Sequence, residues 1–174
     1  CAVNRVWAID LTEHRIEPKA PQPLQGILDH GSRRMLTFRA LRDRSSITIL
    51  RFLLDAIEDY GRPKAIRTDN EAIFTSWIFA FALQCLGIRH QRTLPHCPWQ
   101  NGRIERVWST FKQVLRICQI PNDIELQATL NMLRHAYNQQ RPHQSLNGYM
   151  PNEAWRILIE RKGKPRPPNQ QRRR

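Results

Sequence analysis

Three carboxylates stand where chemistry would be done. Val6, Ala8 and Asp10 share one face of an alternating stretch, Val3 to Leu11, that is rich in β-formers. An acid closing an otherwise apolar strand face is out of place in a core. Asp69 ends a second short apolar run, Ala65 to Thr68. Glu105 lies in the first turn of a helical pattern in which Ile104, Val107, Trp108, Phe111, Leu115 and Cys118 form one stripe. Either aspartate alone could serve a turn or a cap, and Glu105 alone could simply favour the helix dipole. Together, three acids from distant parts of a chain suit a hard divalent cation, magnesium or manganese, held by oxygen. Without metal they would repel one another. Two such ions about 3.5–4 Å apart can activate an attacking oxygen and stabilise a leaving one in phosphodiester chemistry.

The elements that must position these acids follow in order. Val3–Leu11, Leu24–Leu28 and Met35–Leu41 read as three strands of an antiparallel meander, the last two around the turn His30-Gly31-Ser32. Ser45 or Ser46 caps a helix to about Tyr60 with the stripe Ile47, Leu50, Leu54 and Ile57, stopped by Gly61 and Pro63. A strand over 65–68 follows. A helix from Thr75 or Ser76 to Leu86 is apolar almost all round and is expected to be sandwiched. Ile88–Thr93 is an edge-like strand. Helices are expected from Gly102 to Ile117, after Asp123 with Leu126, Leu130, Leu133 and Tyr137 in register, and from Pro151 to about Arg161. A helical crossover sets the fourth strand parallel to the first and beside it, so Asp10 and Asp69 can face Glu105. The fold class is α/β, a mixed five-stranded sheet flanked by helices.

Charge points to the partner. The chain has 28 basic and 15 acidic residues, net +13. Seven basic residues and no acid lie in 161–174, leaving 21 against 15, or +6, over residues 1–160. Both parts favour a polyanion, DNA or RNA, over a lipid surface. The longest apolar run, Trp77 to Leu83, is far too short for a membrane span. Residues 1–160 are expected to form one domain and 161–174 a disordered basic tail. Cys1, Cys85, Cys97 and Cys118 have no paired or zinc-type spacing. They read as reduced thiols in the cytoplasm, with Cys85 and Cys118 in the core. The first residue is not methionine, so the chain is expected to be a piece of a longer polypeptide.

The sequence resembles the catalytic core of bacterial insertion-sequence transposases of the retroviral-integrase (DDE) superfamily. Trp7-Ala8-Ile9-Asp10-Leu11-Thr12 is similar to that family's first acidic motif and Ile66-Arg67-Thr68-Asp69-Asn70 to its second. Pro98-Trp99-Gln100-Asn101-Gly102-Arg103-Ile104-Glu105 is similar to the third, and 35 residues separate Asp69 from Glu105 as in the family's acidic triad. Tyr137-Asn138-Gln139-Gln140-Arg141-Pro142-His143 and Pro151-Asn152-Glu153-Ala154 resemble two closing signatures. The resemblance implies a ribonuclease H-like fold, with Asp10, Asp69 and Glu105 as catalytic ligands of two Mg2+ or Mn2+ ions. It implies water-dependent cutting at element ends to free a 3′-hydroxyl, which then attacks target DNA in line. Lys112 matches a family position that contacts DNA near the cut; Asn101, Arg103 and Arg106 join it as expected DNA contacts. A homo-oligomer on DNA, associated with a bacterial nucleoid, is implied. Glu71 stands where the family usually has glycine, adding an acid near the site. Two other readings fit the residues: a domesticated or inactive DNA-binding protein, and a ribonuclease H-type nuclease for RNA–DNA hybrids. Asp29, on the second strand, reads as structural rather than as a fourth ligand. His96 and Trp99 lie in the loop before the third motif and could touch DNA or only pin the loop.

Overall fold

The structure, a computed structural model, describes residues 2–15, 20–93, 102–118 and 120–163. Five strands make one mixed sheet: β1 (Val6–His14), β2 (Gln22–Asp29), β3 (Met35–Ala40), β4 (Ala65–Thr68) and β5 (Arg89–Arg92), in the order β3-β2-β1-β4-β5. β1 runs antiparallel to β2 and parallel to β4, and β4 is parallel to β5. This is the ribonuclease H-like arrangement. Among the described residues, six α-helices accompany it: α1 (Ser46–Tyr60), α2 (Ala72–Thr75), α3 (Trp77–Cys85), α4 (Gly102–Ile117), α5 (Asp123–Gln140) and α6 (Pro151–Gly163). The expected tail begins inside α6, and residues beyond 163 lie outside the described part.

Strand alternation divides the core between the two faces. Trp7, Ile9 and Leu11 pack with Ile49, Leu53, Phe79 and Leu83 on the side of α1 and α3. Ala8, Leu24, Leu28 and Phe38 pack with Ile104, Val107, Trp108, Phe111 and Leu130 on the side of α4 and α5. Asp10 shares the parity of Ala8, so it belongs to the face that α4 covers.

Helix α5 closes the β3 edge of the sheet with side chains rather than with a further strand. Asn138 Oδ1 accepts the Met35 N–H (2.9 Å) and its Nδ2 donates to the Met35 carbonyl (2.9 Å). Gln127 does the same one turn of the strand further on, accepting from Ala40 N (3.0 Å) and donating to Phe38 O (3.0 Å), and Arg134 donates to Leu36 O (2.8 Å). These groups meet the backbone demand of an edge strand that would otherwise invite pairing. Asn138 is buried. Its replacement by leucine strands a buried donor and a buried acceptor, each costing about 1–3 kcal/mol. Urea unfolding of Asn138→Leu is therefore expected to show a loss of about 2–6 kcal/mol.

Three expectations about burial are corrected. The buried stripe of α1 is Ile49, Leu50, Leu53 and Ala56, while Ile47 and Leu54 are exposed. The apolar arc of this helix is wider than the sheet can cover, and the sheet takes the part centred on Leu53. Helix α3 is not sandwiched: Trp77 is 76% and Phe81 60% exposed, and only Phe79 and Leu83 are buried. It lies over one flank of the sheet with nothing outside it among the described residues. Cys85 and Cys118 are exposed thiols, not core: Cys85 ends α3 and Cys118 follows α4, at helix ends that the sheet does not cover. Cys1 and Cys97 lie outside the described residues. Asp29 is structural: wholly buried, it accepts from Asn4 N (3.0 Å), Ser32 N (2.8 Å) and Ser32 Oγ (2.8 Å), tying the β2–β3 turn to the start of β1.

Candidate active site

Asp10 sits in the middle of the central strand, 8% exposed. β4 pairs with β1 in the register Val6↔Ala65, Trp7↔Ile66, Ala8↔Arg67. Two residues further, the same register sets Asp10 beside Asp69, just past the end of β4. Asp69 Oδ1 accepts the N–H of Glu71 (3.0 Å), which fixes the turn that leaves the strand. Glu105 projects from the first turn of α4, exposed at the rim, one position from the buried Ile104. Burial is the largest influence on the Asp10 carboxyl, followed by the negative charge of Asp69, with a smaller push from Glu105; together they raise its pKa to about 7. Each of the other two carboxylates therefore reaches Asp10 electrostatically.

Trp108 and Gly26 build the floor under Asp10. Gly26 is the antiparallel partner of Asp10 on β2. A methyl group there would lie 2.8 Å from Cζ2 of Trp108, so the missing side chain is the space the indole occupies. The ring is held edge-on against Phe38, centroids 4.9 Å apart. Its Nε1–H favours the ionised form of Asp10 but lies off hydrogen-bond geometry, being buried without a full partner. Gly26→Ala must push this rigid ring off Asp10. We expect a loss of about 1–3 kcal/mol in stability and a changed tryptophan emission, measured by denaturant melts followed by fluorescence.

Among the described residues no three His, Cys, Asp or Glu side chains are gathered tightly enough to ligate a metal as they stand. Asp10, Asp69 and Glu105 are near enough to feel one another and are not clamped together. None of them is held in an ion pair among the described residues.

The chain matches the integrase core domain family over residues 2–98 and again over 86–151. The chain belongs to that family. It carries an integrase core domain. An insertion element IS407 protein of Burkholderia multivorans is 27% identical over 158 residues, covering 87% of this chain and 55% of that protein. The Gag-Pro-Pol polyprotein of bovine leukemia virus is 31% identical over 120 residues, 66% of this chain and 8% of the polyprotein. The chain thus spans little more than half of the one relative and a small part of the other. The HTLV-2 integrase catalytic core domain in complex with magnesium superposes with a TM-score of 0.69 at 22% identity, covering 88% of this chain and 97% of that one. That likeness shows the fold.

In this integrase core the unusual Glu71 turns away from the acids. Its Oε2 accepts from Arg44 Nη2 (2.9 Å), and the same guanidinium reaches Glu13 Oε1 (2.6 Å) through Nη1. The extra negative charge is thus spent in an exposed bridge between the end of β1 and the turn after β4.

The expected DNA contacts divide between two clefts. Lys112 is exposed and lines a cleft of about 500 Å³ with Glu13, His14, Arg15 and Arg116, alongside the end of β1. Arg103 and Arg106 line a different cleft, of about 640 Å³, on the flank of the same helix. Arg103 Nη1 also donates to the His30 carbonyl (3.1 Å) and lies 3.1 Å from His30 Nδ1. Burial and the nearby guanidinium of Arg103 hold His30 neutral, its pKa lowered to about 3. Asn101, His96 and Trp99 lie outside the described residues. Residue types alone do not mark Trp108 and Gly26 as site residues. The only available signal was a glycine inside an apolar strand, which marks close approach by another group.

Proposed function

We propose that Asp10, Asp69 and Glu105 are the catalytic carboxylates, and that they hold two divalent cations, Mg2+ or Mn2+, for phosphodiester cleavage and strand transfer on DNA. One observation carries this most directly. In a chain of the integrase core family, the charges of an acid after β4 and an acid on α4 both fall on a buried acid of β1. The donor set fits hard cations, since it is all carboxylate, none of it is spent in ion pairs among the described residues, and its central member is costly to ionise unless a cation arrives. When bound, such ions lower the pKa of an attacking water and neutralise charge at the phosphate. The residues do the rest. Asp10, fixed by its strand and by Trp108, gives a rigid anchor. Asp69 is oriented by the Glu71 N–H. Glu105, exposed at the rim, completes the set from α4. Lys112, seven residues along α4, meets the backbone of DNA entering from the β1 side.

The domain reading is residues 1–160 as core, with the basic residues after 160 as an added DNA grip. The whole protein acts on element ends and target DNA in the bacterial cytoplasm, at the nucleoid. It works as an oligomer, because two ends must be held together; the HTLV-2 integrase core is known in dimeric and trimeric forms. No helix among the described residues is long and apolar enough to cross a membrane. The test is an assay of DNA cleavage and strand transfer with magnesium, manganese or chelator. Products that need either metal are expected. DNA binding without cleavage in both metals would favour an inactive binder, and cleavage confined to RNA–DNA hybrids a ribonuclease H-type nuclease.

A further inference from the structure

The Tyr137–His143 signature takes no part in the carboxylate site, yet it builds one wall of the 640 Å³ cleft. Four guanidinium groups from three separate segments meet there: Arg33 from the β2–β3 turn, Arg103 and Arg106 from the first turns of α4, and Arg141 just after α5. Among the described residues, no aspartate or glutamate lines the cleft. The arrangement is costly on several independent grounds. Arg33 is held in the left-handed backbone region, φ 62°, which disfavours an arginine. Its Nε and the Nε2 of His143 are buried without a hydrogen-bond partner. The charges of Arg103 and Arg106 bear on Arg33, and those of Arg141 and Arg33 on His143. Arg141 is positioned rather than free, donating to Thr110 Oγ1 (2.8 Å) and lying over the Tyr137 ring. The chain after His143 folds into a tight turn, with the Leu146 and Gly148 N–H groups on the His143 carbonyl, which sets exposed Gln144 and Ser145 at the rim.

Arg33 is strained, its Nε is buried without a partner, and the charges of Arg103 and Arg106 press on it, so this concave cationic site suits an anion. The cleft is several times the size of one oxyanion, so it accepts a nucleotide unit of a strand. It also shares the first turns of α4 with Glu105. We propose that this cleft seats a backbone phosphate of DNA lying beside the carboxylate site, gripped by Arg33, Arg103, Arg106 and Arg141. The proposal rests on the reading that the chain acts on DNA, but it needs no metal.

The experiment measures binding of a labelled duplex to the whole chain by anisotropy, in chelator, over a salt series. The variants are Arg106→Glu, whose side chain is exposed, and the pair Arg33→Gln with Arg106→Gln, with melting curves checking the fold. Loss of one phosphate contact is expected to weaken binding about tenfold and to make the salt slope shallower by about 0.9. Unchanged affinity and slope would overturn the proposal and leave metal-dependent cleavage standing. A cleft that only takes free anions would show inorganic phosphate stabilising wild type and not the variants, with DNA affinity unaltered, which also overturns it. Variants that lose DNA while the wild type never cleaves would uphold the cleft and refute the catalytic reading instead.

Discussion

Glu105→Gln is expected to lower DNA cleavage and strand transfer by about a thousandfold or more, with little change in stability or DNA affinity. The amide keeps the shape but turns one acceptor oxygen into a donor and lacks the negative charge a hard cation requires. Metal-assisted charge stabilisation is worth several kcal/mol, and each 1.36 kcal/mol is about tenfold in rate. Glu105 is exposed and carries no ion pair among the described residues, so its loss from the folded state costs within about 0.5 kcal/mol. The measurement is product formation in magnesium beside a melting curve and a binding isotherm. Activity within a few-fold of wild type would remove Glu105 from the site.

Asp10→Asn is expected to abolish activity and, in the absence of metal, to make the protein more stable. The Asp10 pKa is raised from 3.8 to about 7, first by burial and then by Asp69. The folded state therefore holds a proton that the unfolded chain has released between those values. Stability from this group is fully present below about pH 3.8 and is lost as pH rises through about 7. At pH 8 without metal, asparagine should gain on the order of 2–4 kcal/mol over aspartate, and the gain should shrink toward pH 4. Adding magnesium should reverse the order, because only the wild type is then stabilised by binding. Metal affinity should rise with pH through about 7, since the cation displaces the Asp10 proton. Urea melts at several pH values, with and without magnesium, test both arms. A variant less stable than wild type at every pH without metal would contradict the account.

What could be read from residue types was whatever a short stretch enforces by itself. An acid ending the Val6-Ala8 row announces Asp10, because strand parity is fixed by the backbone. The α4 stripe is right to the residue from Ile104 to Leu115, since that helix has one narrow apolar face and a polar remainder. The parallel placement of β4 beside β1 follows from the helical crossover. Where the apolar arc is wide, as in α1 and α3, periodicity cannot say which part the sheet will cover: in α1 Leu50 is buried as expected but Ile47 and Leu54 are not, and α3 is not sandwiched. Contacts between distant segments were silent. Nothing near Met35 announces Asn138, 103 residues away, as its hydrogen-bond partner. Nothing in the α4 sequence tells that Arg106 and Lys112 open onto different clefts. Gly26 and Trp108 could be connected only once β2 and α4 lay on one another.

Manganese located by its anomalous scattering in crystals of this chain is the most direct test of the carboxylate assignment. Peaks are predicted among the oxygens of Asp10, Asp69 and Glu105, and absent from crystals of Glu105→Gln or Asp10→Asn. Manganese bound elsewhere, with those three side chains left apart under conditions that support DNA cleavage, would contradict it.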